Sequence, residues 1–176
     1  SQQVAGEGTP EAVGGRIVRA LCEVTGARLG VLYRIDGQSL RLSGSHATDD
    51  AALAAVLPLH GGLLGQTCLD ARLQLVSPAP AGHLTMRSGL GHSDPAHLLL
   101  LPLRAEGQVQ GVVELGFVGR SLDAELLADL GARSSELLGL ALRAAVYRLE
   151  RQAMLEESQR QAEELQVQQE ELRVNN

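Results

Sequence analysis

LLLLPLRAEGQVQGVVELGF, residues 98–117, decides the fold. Two strongly apolar runs, 98–104 and 108–117, flank Ala105-Glu106-Gly107, a turn sequence, so the stretch reads as a β-hairpin. Upstream, residues 77–96 are rich in Pro, Gly, Ser and His and form a long excursion with room for one helical turn. Before it come RLQLVS, a short strand, and HGGLLGQTCLDA, a glycine-opened segment of one or two helical turns. AALAAVL reads as a short helix, capped by Asp49 or Asp50 and stopped by Pro58. LGVLYRI, residues 29–35, is strand-like, and Asp36-Gly37 turns it into a return strand where Leu40 and Leu42 alternate with Arg41 and Ser43. Thr9-Pro10-Glu11 supplies an N-cap, an N1 proline and an acidic first turn. Val13, Ile17, Leu21 and Val24 give the following helix an apolar stripe, and Gly26 is its C-cap. Residues 1–8 read as a flexible lead. Downstream, Ser121 is placed as the cap of a helix with Asp123 and Glu125 in its first turn. No proline follows, which permits one helix of about 55 residues, roughly 80 Å long. Gly131 and Gly139 are its weak points, each costing about 1 kcal/mol relative to Ala. The order predicts an α+β domain: an antiparallel sheet of about five strands, with helices packed on one face.

The totals restrict function. A chain of 176 residues accommodates one domain with an extension, and 44% hydrophobic residues suffice for one core. The net charge of −6 argues against nucleic-acid binding, which needs a basic face. Tyr33, Phe117 and Tyr147 are the whole aromatic complement, so base stacking has little to work with. All fifteen cations are Arg, which removes Schiff-base chemistry and a P-loop lysine. Cys22 and Cys68 are far apart with no C-x-x-C, the pattern of free thiols in a reducing compartment. No apolar run approaches the roughly 20 residues of a membrane span, so no membrane contact is expected. The start has no signal-peptide pattern. The end, ELRVNN, leaves the helical pattern running, and the expectation is a piece of a longer protein.

The tail keeps a seven-residue period. Glu pairs recur at 156–157, 163–164 and 170–171. With Leu155, Ala162 and Gln169 at position a, Ser158, Leu165 and Leu172 fall at d and the Glu pairs on the outer face. Upstream, Leu138, Leu142, Ala145 and Leu149 run at 4-3-4 spacing, and the step from Leu149 to Leu155 is six residues, a register shift that alters supercoil winding. The reading is a parallel homodimer zipped along a thin, partly polar seam over 149–176. A lone solvated helix would be marginal, because pairs such as Glu156–Arg160 contribute only about 0.2–0.5 kcal/mol each.

Three segments in order resemble the GAF domain of bacterial signalling proteins over about residues 9–148. They are LGVLYRI with its Asp-Gly hairpin, LPLHGGLLGQTCLDARLQLVS, and LLLLPLRAEGQVQGVVELGF, in which Gly111 precedes Val112 and Val113. QAEELQVQQEELRVNN resembles the connecting helix that precedes catalytic modules in sensor histidine kinases, often hybrid ones. The resemblance implies a cytoplasmic, non-catalytic sensory domain that passes a signal along its C-terminal helix to a kinase in the same chain. A ligand-free dimerisation spacer, a regulator of a cyclase-type output, and a sulfoxide-reductase-type enzyme are the alternatives. It also implies a pocket between the sheet and a lid at 77–97. Candidate walls are Val31, Tyr33, Leu101, Leu103, Val113 and Leu115, with the strand face that meets the pocket left open.

The lid chemistry is sparse. His83, His92 and His97, with Met86 and Cys68 nearby, suggest a metal or haem ligand, but spacings of nine and five do not match zinc patterns and haem or metal is disfavoured. Some members of the family hold bilin through a lid cysteine; none lies between Leu69 and Asn176, which excludes covalent bilin there. The Asn-Lys-Phe-Asp type motif of cyclic-nucleotide-binding members is absent with every lysine. Two cysteines are too few for the sulfoxide-reductase branch. Ser88, His92, Ser93 and Asp94 are neighbours in sequence, which does not make a triad. Arg87 suits an anionic ligand, and Arg87 and His92 are the lid residues chosen as contacts for an unidentified small molecule.

Overall fold

The computed structural model describes residues 6–88, 91–119 and 121–175, with backbone alone at 87–88 and 91–92. Helix α1, Pro10–Thr25, begins as its sequence dictates. Thr9 accepts a hydrogen bond from the Ala12 amide at 3.2 Å, Pro10 opens the first turn, and Gly26 closes the helix in the left-handed region at φ 82°. Strands β1, Leu29–Asp36, and β2, Ser39–His46, form the Asp36-Gly37 hairpin. A single 3₁₀ turn, Asp50–Ala52, leads into β3, Val56–Pro58, and then helix α2, Gly62–Asp70. Strand β4 is Gln74–Val76, and a small ribbon of β5, Met86–Ser88, and β6, Gly91–Ser93, crosses the excursion. Strands β7, His97–Ala105, and β8, Gln108–Phe117, are the hairpin read from residues 98–117. Helix α3 runs for 52 residues, Ala124–Asn175.

The sheet has six strands, all pairs antiparallel, in the order β3-β2-β1-β8-β7-β4. Several expectations change, among them the helices on one face: α2 packs on the sheet face opposite α1 and α3. The AALAAVL segment is a 3₁₀ turn and an edge strand, because Val56 and Leu57 pair with Arg41 and Leu40 of β2. The cap of α3 is Asp123, whose Oδ1 accepts from the Leu126 amide at 3.1 Å.

Both faces of the sheet are covered. Alternation along β7 and β8 divides the apolar residues between them. Leu99, Leu101, Leu103, Val113 and Leu115 face α1 and the first half of α3, together with Leu32, Val18, Leu142 and Ala145. Leu98, Leu100 and Val112 face the other way with Leu29, Val31, Tyr33 and Leu40, under α2 and the excursion. Each fully buried leucine contributes about 1.5–3 kcal/mol.

Close backbone approach fixes the helices on their face. A Cβ on Gly14 of α1 would lie 2.1 Å from the Ser43 carbonyl oxygen of β2. A Cβ on Gly139 of α3 would lie 1.9 Å from the Arg104 carbonyl oxygen of β7. Gly139 is therefore a docking point rather than a weak point. Arg34, 8% exposed, ties α1 to the sheet by donating to Glu11 Oε1 at 2.8 Å and Ser43 Oγ at 2.7 Å. Burial by itself would raise the Glu11 pKa, but the Arg34 hydrogen bond and charge outweigh it and hold the carboxyl below its ordinary value.

Candidate functional site

A cavity of about 340 Å³ opens on the sheet face away from α1 and α3. Its floor is Val31 and Tyr33 of β1, Leu40 of β2 and Glu114 of β8. One wall is the 52–58 segment, another the first turn of α2 from Gly61 to Gly65, and His83 and Leu84 of the excursion form the lid. The size lies at the low end of small-molecule pockets, roughly 300–1,000 Å³.

The polar side chains on this lining are Tyr33, His83 and Glu114. The Tyr33 hydroxyl donates to the Ala54 carbonyl at 2.7 Å and pins the wall to the floor. Burial, then the nearby Glu114 charge, raises the Tyr33 pKa. Glu114 shares its sheet face with Val112 and is 1% exposed, yet it is a carboxylate in a central strand. Its Oε2 lies 2.8 Å from His83 Nε2. Among the described residues this is the one hydrogen bond to the Glu114 side chain. That bond raises the His83 pKa, outweighing the opposing effect of burial, and so favours the protonated form of the imidazole. The lid around it is tied down by Asp94, which accepts from the Gly82 amide at 2.8 Å and the Thr85 hydroxyl at 3.4 Å.

Of the expected pocket residues, Tyr33 lines this cavity. Leu101, Leu103 and Val113 do not: they lie on the opposite face, packed beneath α1 and α3, because a strand sends successive side chains to opposite sides. Leu115 goes with them, while Val31 is on the cavity floor. Arg87 and His92 pair in backbone register across the β5–β6 ribbon, but their side chains lie outside the described residues. His97 stands apart from His83, with its Nδ1 2.6 Å from Ser77 Oγ and its Nε2 3.1 Å from the Gly119 carbonyl oxygen. Among the described residues no cluster of three or more His, Cys, Asp or Glu side chains is placed to hold a metal ion. Glu114 was missed as a site residue. Its signal is a lone carboxylate inside the apolar run VVELGF, but its partner His83 lies 31 residues away.

The two cysteines occupy opposite faces of the sheet, Cys22 with the helices and Cys68 on α2 beside the cavity face. They cannot bridge, and burial pushes their thiols up to about 11 and about 12, away from nucleophilic behaviour at neutral pH.

The expected dimer residues also divide. Leu142 and Ala145 have no exposure and the half-buried Leu138 packs against the same core, so these three hold α3 to its own sheet. Leu149, Leu155, Ala162, Leu165 and Leu172 are exposed, as is every residue from 147 to 175. The six-residue step after Leu149 therefore marks a change of helix face, not a shift within one seam. Continuing the 155–172 register backwards in sevens leads to Arg151, Arg148, Ala144, Ala141 and Leu137, all exposed, with Leu137 at 70%. No helix among the described residues is long and apolar enough to cross a membrane.

The sequence profile of the GAF domain matches residues 7–143. A comparison with curated proteins found no match. Among solved structures, the GAF-B domain of DevS from Mycobacterium smegmatis is similar at 21% identity and a TM-score of 0.59, covering 82% of this chain and 98% of that one. A free methionine-R-sulfoxide reductase from Neisseria meningitidis, in complex with its substrate, is similar at 19% identity and a TM-score of 0.56, covering 84% of this chain and 86% of that one. The GAF domain of a protein assigned as a sensor histidine kinase in Pseudomonas syringae pv. tomato has 18% identity and a TM-score of 0.51, with 87% and 86% covered. At these identities the likeness establishes the fold. With the profile spanning most of its length, the chain belongs to the GAF domain family, whose members have sensory or regulatory roles in bacterial signalling proteins.

Proposed function

We propose that this chain is the cytoplasmic sensory domain of a signalling histidine kinase, working as a parallel homodimer and passing the state of its cavity along α3 to the output module. The observation that carries the reading is the helix itself. Beyond Arg148, which donates to the Gly8 carbonyl at 3.4 Å, every described residue of α3 is exposed, and this stretch projects roughly 40 Å at 1.5 Å per residue. Its apolar side chains fall on two heptad positions, Leu137, Ala144, Leu165 and Leu172 on one and Ala141, Leu155 and Ala162 on the other, interrupted by Arg148, Arg151, Ser158 and Gln169. A single exposed helix of this composition is marginal in water, and a second copy covers that stripe. The first half of α3 is docked on the sheet through Leu142, Ala145 and Gly139, so a movement of the sheet would be transmitted to the seam. A ligand biases the two packings of such a pair by no more than its differential affinity for them.

The kinase output rests on the resemblance of the tail to connecting helices and on the likeness to the Pseudomonas syringae domain. The sulfoxide-reductase reading lacks support, given two buried thiols on opposite faces. Sedimentation equilibrium at micromolar protein tests the dimer. The expected result is twice the 18.6 kDa chain mass, with Leu165→Asp returning it to the single-chain mass. A single chain in the unaltered protein would overturn the reading.

A further inference from the structure

The buried carboxylate on the cavity floor needs a reason. Glu114 occupies the central strand β8, where an apolar residue would pack at no desolvation cost. A buried ion pair is weak evidence for stability, since apolar replacements of similar volume are often neutral or better. Its only donor among the described residues is His83, and His83 comes from the lid rather than the sheet. The imidazole engages one carboxylate oxygen, Oε2, through one nitrogen. Apart from Tyr33, whose hydroxyl donates to the Ala54 carbonyl, the other side chains of the lining are apolar, chiefly Val31, Leu40, Leu53, Leu57, Leu63 and Leu84. The whole chain carries −6, which attracts cations.

We propose that the cavity takes a small organic cation, with an ammonium or amidinium head against Glu114 and an aliphatic body among the leucines. His83 Nε2, 2.8 Å from Glu114 Oε2, stands where that head would bind. An arriving cation offers two or three donors to the carboxylate where the imidazole offers one, and displaces it. The displaced His83 takes with it the lid segment that carries Leu84, which is 4% exposed when the lid is down. Occupancy is thereby converted into lid movement over the sheet. This rests on the sensory reading above and names the ligand class for it.

The test uses three probes of equal length: n-pentylamine, 1-pentanol and pentanoate, titrated into the whole chain at pH 7 and followed by methyl NMR of the cavity leucines. Pentylamine is expected to bind at least tenfold more tightly than the other two. Glu114→Gln should erase that preference, and His83→Gln should tighten pentylamine several-fold by removing the competing imidazole. Equal affinities, a preference for pentanoate, or shifts confined to residues outside the cavity would overturn the proposal. If Glu114→Gln does not fold, His83→Gln decides: an unchanged or weaker pentylamine affinity overturns it. Failure here leaves the sensory reading to the sedimentation test, which involves no ligand.

Discussion

Replacing Gly139 with alanine separates two opposed forces. On helix propensity alone, Gly139→Ala in the interior of a 52-residue helix should stabilise the protein by about 1 kcal/mol. The packing predicts the reverse. The added Cβ would lie 1.9 Å from the Arg104 carbonyl oxygen and 2.3 Å from its carbonyl carbon. Both are backbone atoms in β7, where Arg104 pairs with Val109 of β8 beside the hairpin turn, so they yield less readily than a side-chain end. Ordinary contact begins near 3.4 Å, so α3 must retreat by the difference, about 1.5 Å. One turn earlier, Ser135 Oγ donates to the Pro102 carbonyl at 2.6 Å, and a retreat of that size breaks the bond. Overpacking costs about 1–3 kcal/mol and the lost hydrogen bond about 1 kcal/mol, which together exceed the propensity gain. The expected outcome is a net loss of about 1–3 kcal/mol, measured as a lower urea midpoint at unchanged slope and fixed protein concentration. Gly131→Ala is the control. Its Cβ would meet the Leu73 Cδ1 at 2.5 Å and the Leu101 Cδ1 at 3.1 Å, the movable ends of side chains, so its effect should be small. A Gly139→Ala protein more stable than the original would refute the docking of α3 on β7.

Two further predictions concern the cavity. His83→Ala removes the partner of a buried carboxylate and should lower stability by about 1–3 kcal/mol, whereas His83→Ala combined with Glu114→Leu should recover most of that loss, both read from urea unfolding at pH 7. The pH dependence has a definite sign. The folded state raises the His83 pKa through Glu114, so the folded chain holds that proton more tightly than the unfolded chain, whose ordinary value is about 6.5. The resulting stabilisation is complete below the unfolded value and fades as pH rises through the folded one. The stability gap between the unaltered protein and His83→Gln should therefore narrow from pH 5.5 to pH 9, and a gap that widens would contradict the pairing.

Much of the fold could be read from local chemistry. The 98–117 hairpin, the Asp36-Gly37 turn and the Thr9-Pro10 helix start each rest on residues adjacent in sequence. Val56 and Leu57 fit the end of the AALAAVL helix stopped at Pro58; their strand state comes from pairing with β2, a tertiary contact that overrides propensity. The faces of β7 could not be assigned because LLLLPL is apolar at every position, as a strand covered on both sides must be. Leu101 and Leu103 accordingly went to the wrong side. The same ambiguity affected α3: Leu138, Leu142 and Ala145 fit a heptad as well as they fit the domain core, and only the sheet beneath them decides. The site's central pair was hidden for a different reason, because His83 and Glu114 meet only through the return of the lid over β8.

The parallel pairing of two chains along α3 is tested most directly by cysteine cross-linking at single positions. Cys22 and Cys68 are buried, so an introduced thiol on the exposed helix reacts alone. Leu165→Cys, at position d of the 155–172 register, should oxidise to a disulfide-linked dimer in nearly full yield, while Glu163→Cys, on the outer face, should remain monomeric on a denaturing gel. Efficient cross-linking at 163 with none at 165, or none at either position, would contradict the account.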